Sequence, residues 1–227
     1  MTHAAAPSSQ EPILIAFPKG RLGDELLSRL EGTTLALDEA ALNSRVLRIP
    51  TATPHIQVLL LKGTDLPRYV AAGVASLGIV GSDTLDEVDV DLLELADLKF
   101  GACRLSLCGA AGLTLDALKQ KPHLRIATKF LKATAAWLKR EGLTAELVPL
   151  QSSVELAPIL GLADAIVDLV QTGSTLKAHG LVEIGLLGTT SSRLVAARGA
   201  YLADPERVRP LAAELIRLLT TTTHEDS

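Results

Sequence analysis

Aromatic residues are scarce in this chain, and it carries no excess of positive charge. Phe, Trp and Tyr make up 3% of its 227 residues, which argues against the stacking platforms that bind single-stranded nucleic acid. The formal net charge is −4, so no general basic field attracts DNA or RNA. We therefore expect no nucleic-acid partner. A bound polyanion would have to meet a local group of Lys and Arg side chains, together with a divalent metal ion.

Cysteines and long apolar runs are also few. The two cysteines, Cys103 and Cys108, lie five positions apart on an apolar segment, where strand geometry would point them to opposite faces and disfavour a bridge or a shared metal. We interpret them as small buried residues in a reducing compartment. The sequence shows neither a signal-peptide pattern nor an apolar run of membrane-spanning length. These features predict a cytoplasmic protein without membrane contact and with a frayed tail over residues 1–12.

Motifs that mark several enzyme classes are missing. The chain contains no G-x-x-x-x-G-K-[ST] loop, no G-x-G-x-x-G after a strand and no G-x-S-x-G, which argues against P-loop NTPases, dinucleotide-binding folds and serine hydrolases. Its five histidines show no ligand spacing, so we expect no metal site built from protein side chains.

Strand-like and helix-like segments alternate over most of the chain. The predicted strands cover residues 13–17, 56–61, 77–80, 103–107, 125–128, 146–149, 165–169, 182–187 and 194–197. The predicted helices cover residues 22–30, 131–139, 153–160 and 205–219, with a further one entered at Asp65. This alternation predicts an α/β protein with a mostly parallel sheet and helices on both faces.

Two segments, "DLKFGACR" and "KAHGLVE", are interpreted as crossings between lobes. They predict a discontinuous first lobe, residues 1–102 with 180–227, and an inserted second lobe, residues 103–179. A double crossover of this kind would enclose an interlobe cleft, which is a preferred place for a ligand.

Polar side chains follow several predicted strands, at the ends where α/β sheets bind ligands. "FPKGRL" places Lys19 and Arg21 around a glycine, and "IVGSD" places Asp83 shortly after Gly81. Without a ligand, Lys19 and Arg21 would simply be solvated loop charges, and "IVGSD" would be an ordinary helix cap. "GACRLSL" puts Arg104 inside an apolar strand, where its charge requires a partner or a ligand.

The segment "DLVQTGSTLKAHG" begins at Asp168, at the end of a short apolar strand. Residues 172–175 then form a strand-to-helix turn, where unpaired N–H groups and the positive end of a helix dipole attract an anion such as phosphate. Thr and Ser are also ordinary N-cap residues, and Gly is an ordinary turn residue. The turn by itself leaves both interpretations open.

A longer segment, "ELAPILGLADAIVDLVQTGSTL", resembles the signature of the ATP phosphoribosyltransferase family. Every fixed position of that signature is met, by Glu155, Gly161, Ala163, Ile166, Asp168, Leu169, Thr172, Gly173, Thr175 and Leu176. The similarity continues through "PKGRL", "LGIVGSDTL", "FGACRLSL" and "RIATKF", and so covers about residues 13–197.

The resemblance implies an enzyme that joins N1 of the adenine of ATP to C1 of phosphoribosyl pyrophosphate and releases pyrophosphate. This reaction is the first step of histidine biosynthesis. The family's fold has two α/β lobes like those of type II periplasmic binding proteins, which agrees with the predicted crossings. The first lobe would bind the nucleotide and the second the phosphoribosyl donor, with Mg²⁺ held by the substrate phosphates.

The resemblance also implies roles for individual residues. Donor binding falls to Glu155, Asp168, Thr172, Gly173, Ser174 and Thr175. ATP binding falls to Lys19, Gly20, Arg21, Gly81, Asp83 and Arg104. Catalysis through charge falls to Arg21, Arg45 and Lys62. The family usually has Arg at the position of Lys62, and Lys keeps the charge but loses the two-pronged guanidinium contact.

Long members of the family carry a C-terminal regulatory domain that binds histidine. This chain ends soon after its last predicted helix, so it resembles the short form, which works with a separate regulatory subunit similar to histidyl-tRNA synthetase. We expect a homodimer within a hetero-oligomer. The alternatives are a non-catalytic solute-binding module of the same fold and a phosphoribosyltransferase for another base.

Overall fold

The structure of the protein is a computed structural model that describes residues 11–221. Residues 1–10 of the expected N-terminal tail lie outside the described part. The chain divides into two compact units. Unit 1 is built from the chain up to Gly101 and from Ser191 onward, and unit 2 runs from Ala102 to Thr190.

Strands and helices alternate as the sequence predicts. The strands are β1 (Ile13–Pro18), β2 (Ile49–Pro50), β3 (Ile56–Leu61), β4 (Leu77–Gly81), β5 (Leu93–Asp97), β6 (Cys103–Ala110), β7 (Arg125–Thr128), β8 (Glu146–Pro149), β9 (Ala165–Val170), β10 (Leu181–Thr190) and β11 (Ser192–Ala196). The helices are α1 (Arg21–Leu30), α2 (Glu39–Leu42), α3 (Leu66–Ala71), α4 (Ser82–Glu87), α5 (Leu115–Lys119), α6 (Leu131–Glu141), α7 (Leu156–Ile159), α8 (Ser174–Ala178), α9 (Arg198–Ala203) and α10 (Pro205–Thr220).

Unit 1 contains a six-stranded sheet in the order β2-β3-β1-β4-β11-β5. Its central strands β3, β1 and β4 are parallel, whereas β2, β11 and β5 pair antiparallel with their neighbours. On one face, apolar residues of β1 and β4 pack with α1 and α10, as Ile15, Leu26 and Leu215 illustrate. On the other face, Leu66 and Val70 of α3 pack with Ala16.

Unit 2 contains a five-stranded sheet in the order β10-β6-β9-β7-β8. Strands β9, β7 and β8 are parallel, β6 pairs antiparallel with β9, and β10 pairs antiparallel with β6. One face carries a core around Val167 and Trp137 with α5 and α6. The opposite face carries a smaller core around Ile166, with Ala157 of α7 and Leu176 of α8.

Three expectations need correction. Both sheets are mixed rather than mostly parallel, because β2 and β11 in unit 1 and β6 in unit 2 run opposite to the other strands. The second lobe boundary lies after Thr190 instead of near residue 180, because β10 pairs with β6 along its length and so belongs to unit 2. The helix expected over residues 153–160 is confined to α7, and the strands β2 and β5 were not anticipated.

Helix α1 lies so close to the end of β1 that only glycine fits at position 23. A Cβ atom added there would overlap the carbonyl oxygen of Pro18, which is rigid backbone. We expect Gly23→Ala to destabilise the fold by about 1–3 kcal/mol through overpacking, although alanine is the better helix former. Urea unfolding measures this change.

Gly199→Ala is the matched control, since Gly199 is also helical and a Cβ there would meet nothing within 4 Å. That variant should be neutral or more stable by up to about 1 kcal/mol. Equal effects of the two substitutions would contradict the close packing of α1 on β1.

Candidate active site

The carboxyl ends of three neighbouring parallel strands form one edge of the unit 1 sheet. Pro18 of β1 pairs with Leu61 of β3, so Lys19 and Lys62 leave their strands side by side. The backbone N–H of Lys19 donates to the carbonyl of Leu61 at 2.7 Å, which fixes the start of this loop. Both lysine residues are exposed. Two positive charges therefore face solvent at the edge where parallel sheets bind ligands.

Helix α1 begins immediately after this point. Gly20 is its N-cap with φ 79°, a conformation that favours glycine, and no side chain caps this helix end. Arg21 is the first helical residue and is exposed. The sequence "KGR" thus places two cations and the positive end of an amphipathic helix together.

Strand β4 adds a third group at the same edge. Asp83 lies in the first turn of α4. Its side chain folds back over Gly81, so closely that a Cβ atom on this glycine would overlap the Asp83 carboxylate. Ser82 exchanges two hydrogen bonds with Ser191, of which the Ser82 N–H to Ser191 O bond measures 3.0 Å. Gly81 and Asp83 therefore occupy the same edge as Lys19.

Arg45 belongs to the exposed segment between α2 and β2. Because β2 runs antiparallel to β3, the chain that precedes β2 approaches from the carboxyl end of β3. Arg45 is thus placed on the side of the sheet that also carries Lys62. The structure brings Lys19, Gly20, Arg21, Gly81 and Asp83 together at the edge, with Lys62 beside them and Arg45 on an adjoining loop.

Asp97 ends β5 and holds Ser191 in place. Its carboxylate accepts hydrogen bonds from the Ser191 hydroxyl at 2.8 Å and from the Lys99 N–H at 3.0 Å, and it pairs with Arg193 at 2.8 Å. Burial raises the pKa of Asp97, but hydrogen bonds from Lys99 and Ser191 and the charge of Arg193 outweigh that effect and bring the pKa to about 2. Asp97 is therefore ionised at neutral pH.

The depressed pKa of Asp97 predicts a stability contribution that depends on pH. It is fully present above about pH 4, the ordinary range of an aspartate in the unfolded chain, and is lost as the pH falls toward 2. We expect Asp97→Asn to lower the free energy of unfolding by roughly 1–2 kcal/mol at pH 7, with the difference shrinking in acid. Urea unfolding between pH 7 and pH 3 tests this, with Asp89→Asn as an exposed control; a pH-independent difference would count against it.

Strand β9 of unit 2 carries the signature aspartate. Asp168 is two positions from Ile166 and from Val170 along the strand, so all three side chains share one face of the sheet. Ile166 and Val170 are buried on this face against α7 and α8. Glu155 is the N-cap of α7, and its neighbours Val154 and Ala157 pack into the same apolar cluster. The fold therefore brings Glu155 and Asp168 to one face of unit 2.

The turn at residues 172–175 follows β9 directly. Gly173 has φ 78°, which requires glycine in practice, and α8 begins at Ser174. The hydroxyls of Thr172 and Ser174 lie 3.1 Å apart, and the Ser174 N–H points to the Thr172 hydroxyl at 3.4 Å. Thr172, Ser174 and Thr175 are all exposed. Three hydroxyls and the first N–H groups of α8 therefore converge on one solvent-facing turn.

Arg104, expected among the ATP-binding residues, lies in unit 2 on the face that carries Asp168. Its guanidinium makes two hydrogen bonds to Glu183, at 2.8 and 3.0 Å. The pKa of Glu183 is lowered below its ordinary value, chiefly by the hydrogen bonds from Arg104 and to a lesser extent by the one from the Ser106 hydroxyl. Burial acts in the opposite direction. The charge in this strand is thus satisfied by a protein partner.

Comparison with known proteins identifies the family. The family model described as "HisG: ATP phosphoribosyltransferase" matches residues 62–217 of this chain. The chain belongs to the ATP phosphoribosyltransferase family. It is 42% identical over 233 aligned positions to an ATP phosphoribosyltransferase of Deinococcus radiodurans, with 100% of both chains covered. It is 39% identical to one of Moorella thermoacetica, with 90% of this chain and 92% of the relative covered.

Solved structures agree with the family and the fold. The structure resembles the ATP phosphoribosyl transferase (HisG:HisZ) complex from Thermotoga maritima, with TM-score 0.75, 28% identity, and 91% of this chain and 98% of that chain covered. The alkanesulfonate-binding protein SsuA from Xanthomonas axonopodis pv. citri, bound to MOPS, shares the fold with TM-score 0.59 and 19% identity, over 92% and 73% of the two chains. The expected two-lobed fold of the type II periplasmic-binding-protein kind is confirmed.

As a member of the ATP phosphoribosyltransferase family, the chain is a transferase of histidine biosynthesis. The alternative of a non-catalytic solute-binding module is not favoured. Cys103 and Cys108 are both buried, as expected. Burial first, and then the charges of Glu183 and Asp168, raise the pKa of Cys108 to about 12, so this thiol is protonated at neutral pH. Across residues 11–221, no helix is long and apolar enough to cross a membrane.

Several residues near the two edges were not singled out from the sequence. Lys129 follows β7, the neighbour of β9, and its ammonium lies 4.9 Å from the centre of the Phe130 ring. Thr128 fixes this strand end by donating to the Val167 carbonyl at 2.8 Å. The segment "RIATKF" contains the sequence feature that indicates Lys129, because it places a cation at the end of a strand. Nothing in the sequence around Glu183 or Asp97 indicated their partners.

Proposed function

We propose that this enzyme transfers the phosphoribosyl group of phosphoribosyl pyrophosphate to N1 of ATP, and that each unit binds one substrate. Unit 2 binds the donor and unit 1 binds ATP. The observation that carries the proposal is the turn at residues 172–175, which follows Asp168 at the carboxyl end of β9. It combines the family signature with a solvent-facing set of anion-binding groups.

The donor site is built from one face of unit 2. Asp168 and Glu155 supply carboxylate oxygens, which accept hydrogen bonds from the ribose hydroxyls. Thr172, Ser174 and Thr175 supply hydroxyls, and the turn supplies N–H groups, for the 5-phosphate. Hydrogen-bond acceptors therefore face the ribose hydroxyls, and hydrogen-bond donors face the phosphate anion.

The ATP site is the carboxyl edge of unit 1. Lys19, Arg21 and Lys62 supply positive charge to the triphosphate, and Gly20 lets the backbone approach closely. Gly81 and Asp83 line the neighbouring strand end, and Arg45 extends the cationic surface from the loop before β2. Lys62 replaces the arginine usual in the family, so it acts as a point charge rather than a planar clamp.

The chemistry needs positioning and charge more than proton transfer. N1 of adenine already carries a lone pair, so no general base is required to activate it. As pyrophosphate departs, the ribose becomes oxocarbenium-like and negative charge grows on the leaving group. Arg21, Arg45 and Lys62 then stabilise that charge electrostatically.

Mg²⁺ is proposed to arrive with the substrates, held by their phosphate oxygens. Among residues 11–221, no three His, Cys, Asp or Glu side chains are grouped so that they could hold a metal ion. The chain's contribution would then be the lysine and arginine side chains that surround the metal-bound phosphates.

We further propose a cytoplasmic homodimer that binds a regulatory subunit. The similar Thermotoga maritima structure is a complex of HisG with HisZ, and the match covers 98% of that chain. The partner proposed here is of the same kind, resembling histidyl-tRNA synthetase. It would carry the histidine-binding site.

The regulatory proposal predicts that this chain alone is catalytically competent but insensitive to histidine. Adding the partner should confer inhibition, because an effector can act only through a site whose affinity differs between two states. Activity at saturating histidine, with and without the partner, measures this. Inhibition of the isolated chain by histidine at a site away from the active edges would overturn it.

Pyrophosphate release tests the function itself and separates it from the remaining alternative, a phosphoribosyltransferase for another base. The chain is incubated with phosphoribosyl pyrophosphate, Mg²⁺ and either ATP, GTP, CTP or UTP. We expect release that depends on ATP, at least tenfold faster than with the other nucleotides. Faster release with another base would assign the enzyme to a different acceptor.

A further inference from the structure

Three strands of unit 2 bring polar side chains to the face that carries Asp168. Ser106 of β6 lies directly opposite Asp168 of β9, and Arg104 lies opposite Val170, the last residue of that strand. On the other side of β6, Cys108 lies opposite Glu183 of β10. Because side chains alternate along a strand, Arg104, Ser106 and Cys108 share one face.

Glu183 links this group together. Its carboxylate accepts two hydrogen bonds from Arg104, at 2.8 and 3.0 Å, and one from the hydroxyl of Ser106 at 2.7 Å. Ser106 is fully buried, so this hydrogen bond satisfies a hydroxyl that would otherwise be costly to bury. The three side chains therefore form one fixed network.

Strand β10 is irregular where it supplies Glu183. The register between β10 and β6 shifts between Glu183 and Gly185 and again between Leu186 and Gly188. Irregularities of this kind re-aim side chains and are common beside functional sites. The first shift lies immediately after Glu183, which leans along β6 toward Ser106 and Arg104.

The network lies close to the signature aspartate and to the turn at residues 172–175. After burial, the charges of Glu183, Asp168 and Arg104 all influence the pKa of the Cys108 thiol on this face. Arg104 is level with Val170, two residues before Thr172. Its side chain is 43% exposed, so the guanidinium is fixed by Glu183 while part of it stays accessible.

We propose that Arg104 contacts the anionic donor in unit 2, and that Glu183 is the positioning residue that holds Arg104 beside Asp168. This inference rests on the proposed function of unit 2 and moves Arg104 from the ATP group to the donor group. A guanidinium has five N–H donors, and Glu183 engages only two of them. The remaining donors can bind a phosphate oxygen without the entropy cost of ordering a free arginine.

Calorimetric titration with phosphoribosyl pyrophosphate and Mg²⁺, in the absence of ATP, tests the assignment. We expect Arg104→Ala to weaken donor binding about tenfold, as loss of a charged contact does. Glu183→Gln keeps the shape and removes the charge, and should weaken donor binding about threefold to tenfold. The double variant should bind no more than about twofold more weakly than Arg104→Ala alone, since Glu183 acts only through Arg104.

Controls separate positioning from folding. Arg140→Ala removes an exposed arginine of unit 2 that pairs with Glu141, and it should leave donor affinity unchanged. Arg104→Lys retains the charge and should restore part of the affinity in a folded protein. ATP affinity should be the same in all variants.

The outcomes distinguish this inference from the proposed function. If the wild-type chain binds the donor and Arg104→Ala binds it equally well, the assignment of Arg104 is overturned while the donor site stands. Additive losses in the double variant, or a change in ATP affinity instead, would likewise overturn it. Failure of the wild-type chain to bind the donor at all would overturn both.

Discussion

Replacing Thr172 and Thr175 together with alanine should weaken binding of phosphoribosyl pyrophosphate by at least about 100-fold. Each hydroxyl is exposed on the turn that follows β9, and a lost hydrogen bond to a charged group costs roughly 1.5–3 kcal/mol. The fold should survive, because neither side chain is buried and alanine is tolerated at the start of α8. Calorimetric titration of the folded variant with the donor gives the affinity directly.

Thr144→Ala is the matched control for this experiment, since Thr144 is an exposed threonine of unit 2 in the loop between α6 and β8. It should bind the donor as the wild type does. An unchanged donor affinity in the folded double variant would show that the turn is an ordinary capped helix start. The proposed donor site would then be wrong.

Arg21→Ala and Arg45→Ala should each lower kcat by about 100-fold or more while raising the KM for ATP much less. The reason is that negative charge grows on the departing pyrophosphate only as the transition state is reached. Removal of one electrostatic stabiliser of such charge typically costs 10²–10³ in kcat, about 3–4 kcal/mol. Steady-state kinetics with both substrates varied separates kcat from KM.

Arg217→Ala serves as the control, because Arg217 pairs with Glu214 on the exposed surface of α10. Its kinetics should match those of the wild type. Arg21→Lys should recover part of kcat, because it keeps the charge without the planar fork. If Arg21→Ala and Arg45→Ala raise only the KM for ATP, these residues bind substrate and transition state equally, and the proposed electrostatic role is incorrect.

Local sequence patterns predict the elements around the candidate site well. The apolar run before Asp168 is a buried strand, and residues 172–175 form the expected turn into α8. The glycines at positions 20 and 173 both adopt positive φ, which is the conformational reason that these turns contain glycine. These features depend on a few consecutive residues, and so the sequence shows them.

Features that depend on distant pairing could not be predicted in the same way. The position of the second crossing is set by β10, which pairs with the distant strand β6 through an irregular register. The hydrogen-bond partner of Arg104 is Glu183, which is 79 positions away in the sequence. Neither contact leaves a local signal, because strand register and ion pairing are decided by the three-dimensional packing of remote segments.

The most direct test of the central claim is the near-UV absorbance of the adenine ring when the chain is mixed with ATP, phosphoribosyl pyrophosphate and Mg²⁺. Substitution at N1 alters the conjugation of the ring, so we expect an absorbance change that requires both substrates. The amount of product calculated from it should equal the amount of pyrophosphate released. The assay is run with the chain alone and with its regulatory partner. A folded chain that binds the donor but gives no adenine signal, with or without the partner, would contradict the proposed transfer.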